Sequence, residues 1–289
     1  LIPAVKAARE SSRRTQCANN LRNLALAAIQ YENTNGELPG YVSRFQDFEG
    51  GPDPGDPASS NGNVPQHPKR GTWVTSLLPW LDAQPIYERW NEAKYPVRGD
   101  GSGEFPRTRE MYNSVATPNL AIMQCPSSSV TTGDFGRNSY ISNNGMHVLR
   151  GTTVTVGGSG SQTHGIQGRS VNFEGSMKIS NGLFNNKYTL GHGPTNPQDM
   201  VELGGRVRLT DIKDGQSNTA MFSENLQAQP WYLHELYSPS YTRWMTMTGN
   251  PGRWHTHYFY QSRYIHGMVW HYEDTNQFNG APAVNPIHK

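Results

Sequence analysis

The stretch LIPAVKAARESSRRTQCANNLRNLALAAIQYENTN, residues 1–35, decides the fold, because its pattern predicts one long amphipathic helix. Apolar and small residues recur at the i, i+3 and i+4 spacing that aligns side chains on one stripe of a helix. The helix is expected to stop at Asn35, because Gly36 and Pro39 follow. The predicted stripe consists of Ala4, Val5, Ala8, Leu21, Leu24, Ala25, Ala28 and Ile29.

The start of this helix has no capping residue. Leu1 and Ile2 offer no side-chain acceptor, and Pro3 is tolerated only in a first turn or at a kink. The amphipathic pattern already runs at residue 1, so we expect the natural chain to begin earlier. The alternative is that Pro3 simply occupies the first helical position.

The charges of the helix are expected to form a solvated face. Arg9, Arg13, Arg14 and Arg22 lie mostly off the stripe, and Glu10 is one turn away from two of them. The whole chain carries a net charge of only +2, which gives no reason to predict binding to nucleic acid.

The composition predicts a loop-rich, largely β body behind this helical stalk. Only 34% of the 289 residues are hydrophobic, while 30 are glycine and 20 are proline. We expect a stalk at residues 1–36 and a body at residues 37–289. Residues 40–70 are predicted to be an exposed irregular loop, and further Gly- and Pro-rich segments follow at residues 98–107 and 156–169.

The body is predicted to contain two short helices near residues 73–92, bent at Pro79, followed by strands. A cluster of turn residues, DIKDGQSN at 211–218, separates the later strands. The strand candidates are LAIMQCP at 120–126, NSYISNNG at 138–145, HVLRGTTVTVGG at 147–158, SNGLF at 180–184, RVRLT at 206–210, TAMFSENL at 219–226 and GMVWHY at 267–272.

These segments together carry a resemblance. Residues 1–40 are similar to the segment that follows the membrane-spanning half of the first helix in a family of bacterial prepilin-like proteins. Five further segments resemble that family in the same order along the chain. They are TWVTSLLPWLDAQPIYERW, IMQCPSSS, SYISNNG, RLTDIKDGQSNTAMFSENL and GMVWH. The family resembles type IV pilins and type II secretion pseudopilins at its N-terminus and carries a large C-terminal domain of unknown function.

The resemblance implies an α+β, pilin-like fold, in which the long N-terminal helix packs on an antiparallel β-sheet with long loops. It implies a structural subunit of a cell-envelope or extracellular filament, either anchored in the inner membrane through an apolar segment upstream or assembled outside the cell. Its partners would be further copies of the chain rather than nucleic acid or a cofactor. The assembly helix would use Leu1, Ala4, Val5, Ala8, Leu21, Leu24, Ala25 and Ala28.

The resemblance also leads us to expect a disulfide between Cys17 and Cys125. If the body packs on the stalk as in the family, the two cysteines approach each other, and an extracytoplasmic location permits oxidation. The open alternative is two separate buried thiols that behave as small apolar side chains.

Two groups of residues raise the question of a metal. His255 and His257 would point to one side of a strand, with His266 and His271 nearby, yet the surrounding aromatic residues favour packing. Oxygen ligands for calcium are available from Asp211, Asp214, Asn218 and Glu224, but their spacing is not that of an EF-hand, and a turn before a strand explains them. We therefore predict no bound metal, leaving calcium near Asp211 and Asp214 open.

No catalytic motif is recognisable, so we expect no enzyme; a His-ligated metalloenzyme is a distant third hypothesis. The rival hypothesis is a secreted glycan-binding module, because aromatic rings stack on the apolar faces of sugars. The same rings could instead form the core or a subunit contact. They are Trp231, Tyr232, Tyr237, Tyr241, Trp244, Trp254, Tyr258, Phe259, Tyr260, Tyr264 and Trp270.

Overall fold

The computed structural model shows an α+β fold with a long N-terminal helix, which confirms the predicted class. It describes residues 2–55, 64–98, 112–128, 135–147, 153–156, 169–172, 182–185, 187–190, 200–202, 205–225, 228, 230–233 and 267–272. The helices are α1 Ile2–Asn35, α2 Trp73–Leu77 and α3 Gln84–Asn91. The strands are β1 Val42–Arg44, β2 Arg70–Thr72, β3 Tyr140–His147, β4 Thr153–Val156, β5 Arg169–Asn172, β6 Tyr188–Leu190, β7 Met200–Glu202, β8 Phe222–Glu224 and β9 Gly267–Tyr272.

Helix α1 ends where the sequence predicts. Gly36 adopts a φ of +74°, and its N–H donates to the carbonyl of Glu32 over 2.7 Å. This is the left-handed C-cap that glycine adopts without steric cost. Within the described residues, no helix combines the length and hydropathy needed to cross a bilayer.

The predicted apolar stripe of α1 is wrong in one respect, because its residues lie on two faces. Leu24 and Ala28 are fully buried against the body, whereas Ala4 and Ala8 are exposed and Val5 is 48% exposed. At roughly 100° per residue, the sixteen positions from Ala8 to Leu24 rotate the side chain by about 160°. The i, i+3, i+4 spacing holds within each half of the helix, but the apolar residues of the first half point in a different direction from those of the second half.

The two short helices of the body form as predicted; α2 packs beside α1, and α3 packs against α2 and the turn that follows it. Thr72 caps α2, and its hydroxyl accepts from the N–H of Val74. The α-helix then gives way to a 3-10 turn, Leu78–Trp80, because Pro79 lacks the N–H that would continue it. Trp73 and Trp90 are fully buried, so these elements supply much of the aromatic core.

The largest described sheet has the strand order β8-β3-β9. Its β3–β8 pair is antiparallel, with Tyr140 opposite Glu224, whereas β9 pairs with β3 in parallel. The expectation of an antiparallel sheet is therefore corrected for β9, which reaches β3 by a long connection. Three separate two-stranded sheets, β1-β2, β4-β5 and β6-β7, are antiparallel.

Three predicted strands do not form in the residues that the structure describes. Residues 120–126 contain a 3-10 turn, Ala121–Met123, and residues 206–210 lead into another, Leu209–Asp211. Leu183 and Phe184 are buried in an irregular segment, where both N–H groups donate to the carbonyl of Asn143. These short apolar runs enter the core, but as turns.

The prediction of an exposed loop at residues 40–70 is wrong for its described part. Tyr41, Val42 and Phe48 are almost fully buried. Asp53, which is 1% exposed, forms a paired contact with Arg89, with the closest N–O distance being 2.7 Å. A buried ion pair with this bidentate geometry keeps the segment folded onto α3.

Two further buried basic residues hold the same segment. Lys69 is fully buried, and its ammonium donates to the backbone carbonyls of Arg89, Glu92 and Tyr95 at the end of α3. One ring nitrogen of His67 contacts the carbonyl of Pro65 over 2.9 Å, and the other accepts from the N–H of Val97. Burial lowers the pKa of His67 to about 4 and that of Lys69 to about 8.

Candidate functional site

The stalk and the body are covalently joined where they meet. Cys17 and Cys125 form a disulfide bond, with sulfur atoms 2.06 Å apart. Both residues are buried, with exposures of 2% and 5%. Cys125 follows the turn Ala121–Met123, and its N–H donates to the hydroxyl of Ser139 just before β3. The bond therefore links α1 to the segment that leads into the central sheet.

Polar contacts surround this junction. The side-chain amide of Asn20 donates to the carbonyl of Gln124 over 3.1 Å and to the hydroxyl of Tyr140 over 3.2 Å. Burial raises the pKa of Tyr140 to about 12, so the phenol stays neutral. Nearer the helix start, Glu10 accepts from the hydroxyl of Ser127 over 3.0 Å. These contacts fix the position of α1 along its axis relative to the body.

Beyond the junction, the helix projects into solvent. Every residue from 3 to 16 is exposed except Glu10, which is half-buried. We call residues 3–16 the free half of α1. The side pointing away from the body, which we call the outer face, is exposed and carries a single charge, on Arg22. It consists of Ala4, Val5, Ala8, Ser11, Ser12, Thr15, Ala18, Asn19, Arg22 and Leu26.

The comparison with known families decides where the chain belongs. The model of the family described as "Protein of unknown function (DUF1559)" matches residues 6–281. The chain belongs to this family. The DUF1559 family is associated with prepilin-like proteins, in keeping with the resemblance of the stalk and the body segments. The chain matches no curated protein and no solved structure among those compared.

The predicted assembly residues of this DUF1559 protein separate into three sets. Ala4, Val5 and Ala8 lie on the outer face. Leu24 and Ala28 are buried against the body, and Leu21 and Ala25 are half-buried at its edge. Leu1 lies outside the described residues. Only the first set is free to contact another molecule.

The calcium candidates do not converge on one point. The carboxylate of Asp211 accepts from the N–H of Arg208, and the amide of Asn218 donates to the carbonyl of Asp214. Glu224 instead lies with a carboxylate oxygen 3.4 Å from the sulfur of Cys125.

Among the described residues, one group of potential metal ligands lies close together, namely Cys17, Cys125 and Glu224. Its two sulfur atoms are bonded to each other, and a disulfide provides no thiolate for a metal. His255, His257 and His266 lie outside the described residues, and the structure describes only the backbone of His271.

The two aromatic residues of the glycan hypothesis whose side chains are described belong to the core. Trp231 and Tyr232 are fully buried, and the indole N–H of Trp231 donates to the carbonyl of Pro118. Neither ring can stack on a sugar in this arrangement. The side chains of the other candidates, from Tyr237 to Trp270, lie outside the described residues.

Sequence reasoning missed the polar residues of the junction. Asn20 is a polar residue on the docked side of the helix, between Cys17 and Leu24, and it is only 9% exposed. A polar position within an apolar stripe is a usable signal, because burying it requires hydrogen-bond partners. Nothing in the sequence indicates that those partners are Gln124 and Tyr140.

Proposed function

We propose that this protein is a structural subunit, pilin-like or pseudopilin-like, that associates with copies of itself through the outer face of α1. One observation carries this proposal. The described residues contain three exposed large hydrophobic side chains, and two of them, Val5 and Leu26, lie on that face. Within the free half, the remainder of the face is small or polar and uncharged, which allows a second helix to approach closely.

The disulfide supports a location outside the cytoplasm, either anchored to the inner membrane or in an extracellular filament. Disulfides form and persist in oxidising compartments and are rare in the cytosol. By linking Cys17 to Cys125, the bond also ties the helix to the bulk of the body. A subunit built in this way transmits force applied to its helix directly into the central sheet.

The proposal is tested by measuring self-association of the native protein and of a charged variant. Ala4→Glu with Ala8→Glu places two like charges on the outer face of every copy, which should weaken helix contact. The control is Val115→Glu, because Val115 is the third exposed large hydrophobic and lies on the body, 43% exposed.

Sedimentation and electron microscopy of the three proteins then give the answer. We expect concentration-dependent oligomers or filaments for the native protein and for the control, and their loss in the Ala4/Ala8 variant. A native protein that stays monomeric at high concentration would refute the proposal. Equal association in all three proteins would refute the assignment of the face.

A further inference from the structure

The side of the free half opposite to the outer face is strongly basic. Lys6, Arg9 and Arg13 are spaced by three and four residues, so their side chains neighbour one another along the helix. All three are exposed, and we call them the basic face. Lys6 and Arg9 form no ion pair with a described residue. Arg13 lies 3.9 Å from Glu10, a distance at the limit of an ion pair.

The basic face continues the side of the helix that docks on the body. Eighteen residues separate Lys6 from Leu24, which is about five full turns. The same side is therefore mostly apolar where the body covers it and cationic before the disulfide at Cys17, where Ser127 of the body contacts Glu10 but Lys6, Arg9 and Arg13 stay exposed. The change of chemistry indicates that the basic side contacts something other than the body.

The charge of this segment is concentrated. The free half contains four cationic residues, Lys6, Arg9, Arg13 and Arg14, against the single anion Glu10. Cations and anions nearly balance over the described residues that follow α1. These charges lie on the side opposite to the outer face, so they stay available to a counter-charge outside the protein whether or not copies pack through their outer faces.

We propose that the basic face binds the phosphates of anionic phospholipid headgroups. Guanidinium and ammonium groups are suited to phosphate oxygens, and a basic helical segment is attracted to an anionic bilayer surface. A nucleic acid strand fits less well, because it would need cations that continue over the body. A lipid surface meets only the projecting end of the helix. The inference goes beyond the proposed assembly and does not require it.

Vesicle co-sedimentation of the whole chain tests this proposal. The vesicles are phosphatidylcholine alone or phosphatidylcholine with about one-third phosphatidylglycerol, at low and high salt. The test variant is Lys6→Gln with Arg9→Gln. The matched control is Arg206→Gln with Lys213→Gln, which removes two exposed cations from the body.

We expect binding to the phosphatidylglycerol vesicles only, and release by high salt because the contact is electrostatic. Each cation near the surface contributes roughly fivefold, so the Lys6/Arg9 variant should bind about 30-fold more weakly. The Arg206/Lys213 control should bind like the native chain. Equal losses in both variants, equal binding to both vesicle types, or displacement from vesicles by duplex DNA would each overturn the proposal.

Discussion

Removing the disulfide should destabilise the protein substantially without unfolding the stalk as a whole. The perturbation is Cys17→Ala with Cys125→Ala. The bond closes a loop with a sequence separation of 108 residues. The chain-entropy relation gives about 4.8 kcal/mol for the lost constraint on the unfolded chain. For a protein of this size, that loss corresponds to a fall in melting temperature of about 8 °C.

The structure also predicts which part of α1 loosens when the disulfide is removed. Leu24 and Ala28 stay buried against the body by packing alone, so the last three turns of α1 should remain docked. Around Cys17, the described hydrogen bonds that remain are those of Asn20, the contact between Glu10 and Ser127, and the bond that the Tyr140 hydroxyl donates to the carbonyl of Cys17 over 3.5 Å. Hydrogen exchange should therefore quicken in residues 9–20 and stay slow in residues 24–32.

Urea unfolding of the oxidised native protein, the reduced native protein and the double variant measures the effect. The reduced protein and the variant should agree with each other, because both lack the same bond. Val5→Ala serves as a control on the same helix, and its exposed side chain should change stability little. A loss below about 1 kcal/mol would refute the reasoning. So would two free thiols in the denatured, unreduced native protein.

Three further predictions concern the body. The pKa of His67 is about 4 in the folded protein and 6.5 in the unfolded chain, because burial disfavours the charged ring. The neutral ring therefore contributes fully to the free energy of unfolding above pH 6.5, and this contribution is lost as the pH falls towards 4. Urea unfolding at several pH values should show that His67→Gln removes about 3 kcal/mol of this pH dependence. Asp53→Ala leaves Arg89 buried and unpaired, so unfolding should show a loss of about 3–5 kcal/mol, whereas a loss below about 1 kcal/mol would contradict the ion-pair argument. Gly136→Ala places a methyl group in collision with the ring of Tyr232 at a φ of +66°, and should lower the melting temperature more than any exposed Gly→Ala change.

The sequence predicts the structure best where an apolar pattern repeats over many residues or where a glycine or proline ends a helix. Helix α1, its glycine cap and the bend at Pro79 all follow from local rules that tertiary contacts leave unchanged. Strands β3 and β8 also appear where alternation predicts them. Short apolar runs such as Ala121–Met123 carry too few residues to distinguish a strand from a turn, and packing decided their form.

The prediction of an exposed loop at residues 40–70 is wrong for the described part, because the overall composition of a segment does not show which of its residues are buried. Residues 40–70 are rich in glycine, proline and polar residues, yet Tyr41, Val42 and Phe48 anchor the described part in the core. Polar residues of this segment can be buried because they find partners inside the protein. Asp53, for example, pairs with Arg89, which lies 36 residues further along the chain. No local pattern identifies such a partner.

The phase difference between the two halves of α1 connects the fold to the proposed function. If the apolar residues formed one continuous stripe, packing on the body would cover the same face that a second copy needs. In the structure, Leu24 and Ala28 dock while Ala4 and Ala8 point away, so the face proposed for a second copy stays free of the body. Inserting one residue directly after Ser12 would rotate the part of the outer face from Ala4 to Ser12 by roughly 100° relative to the body and to Leu26. Such a variant should keep its stability and lose ordered association. This result would show that association depends on the relative orientation of the two halves of the helix and not only on the residues they contain.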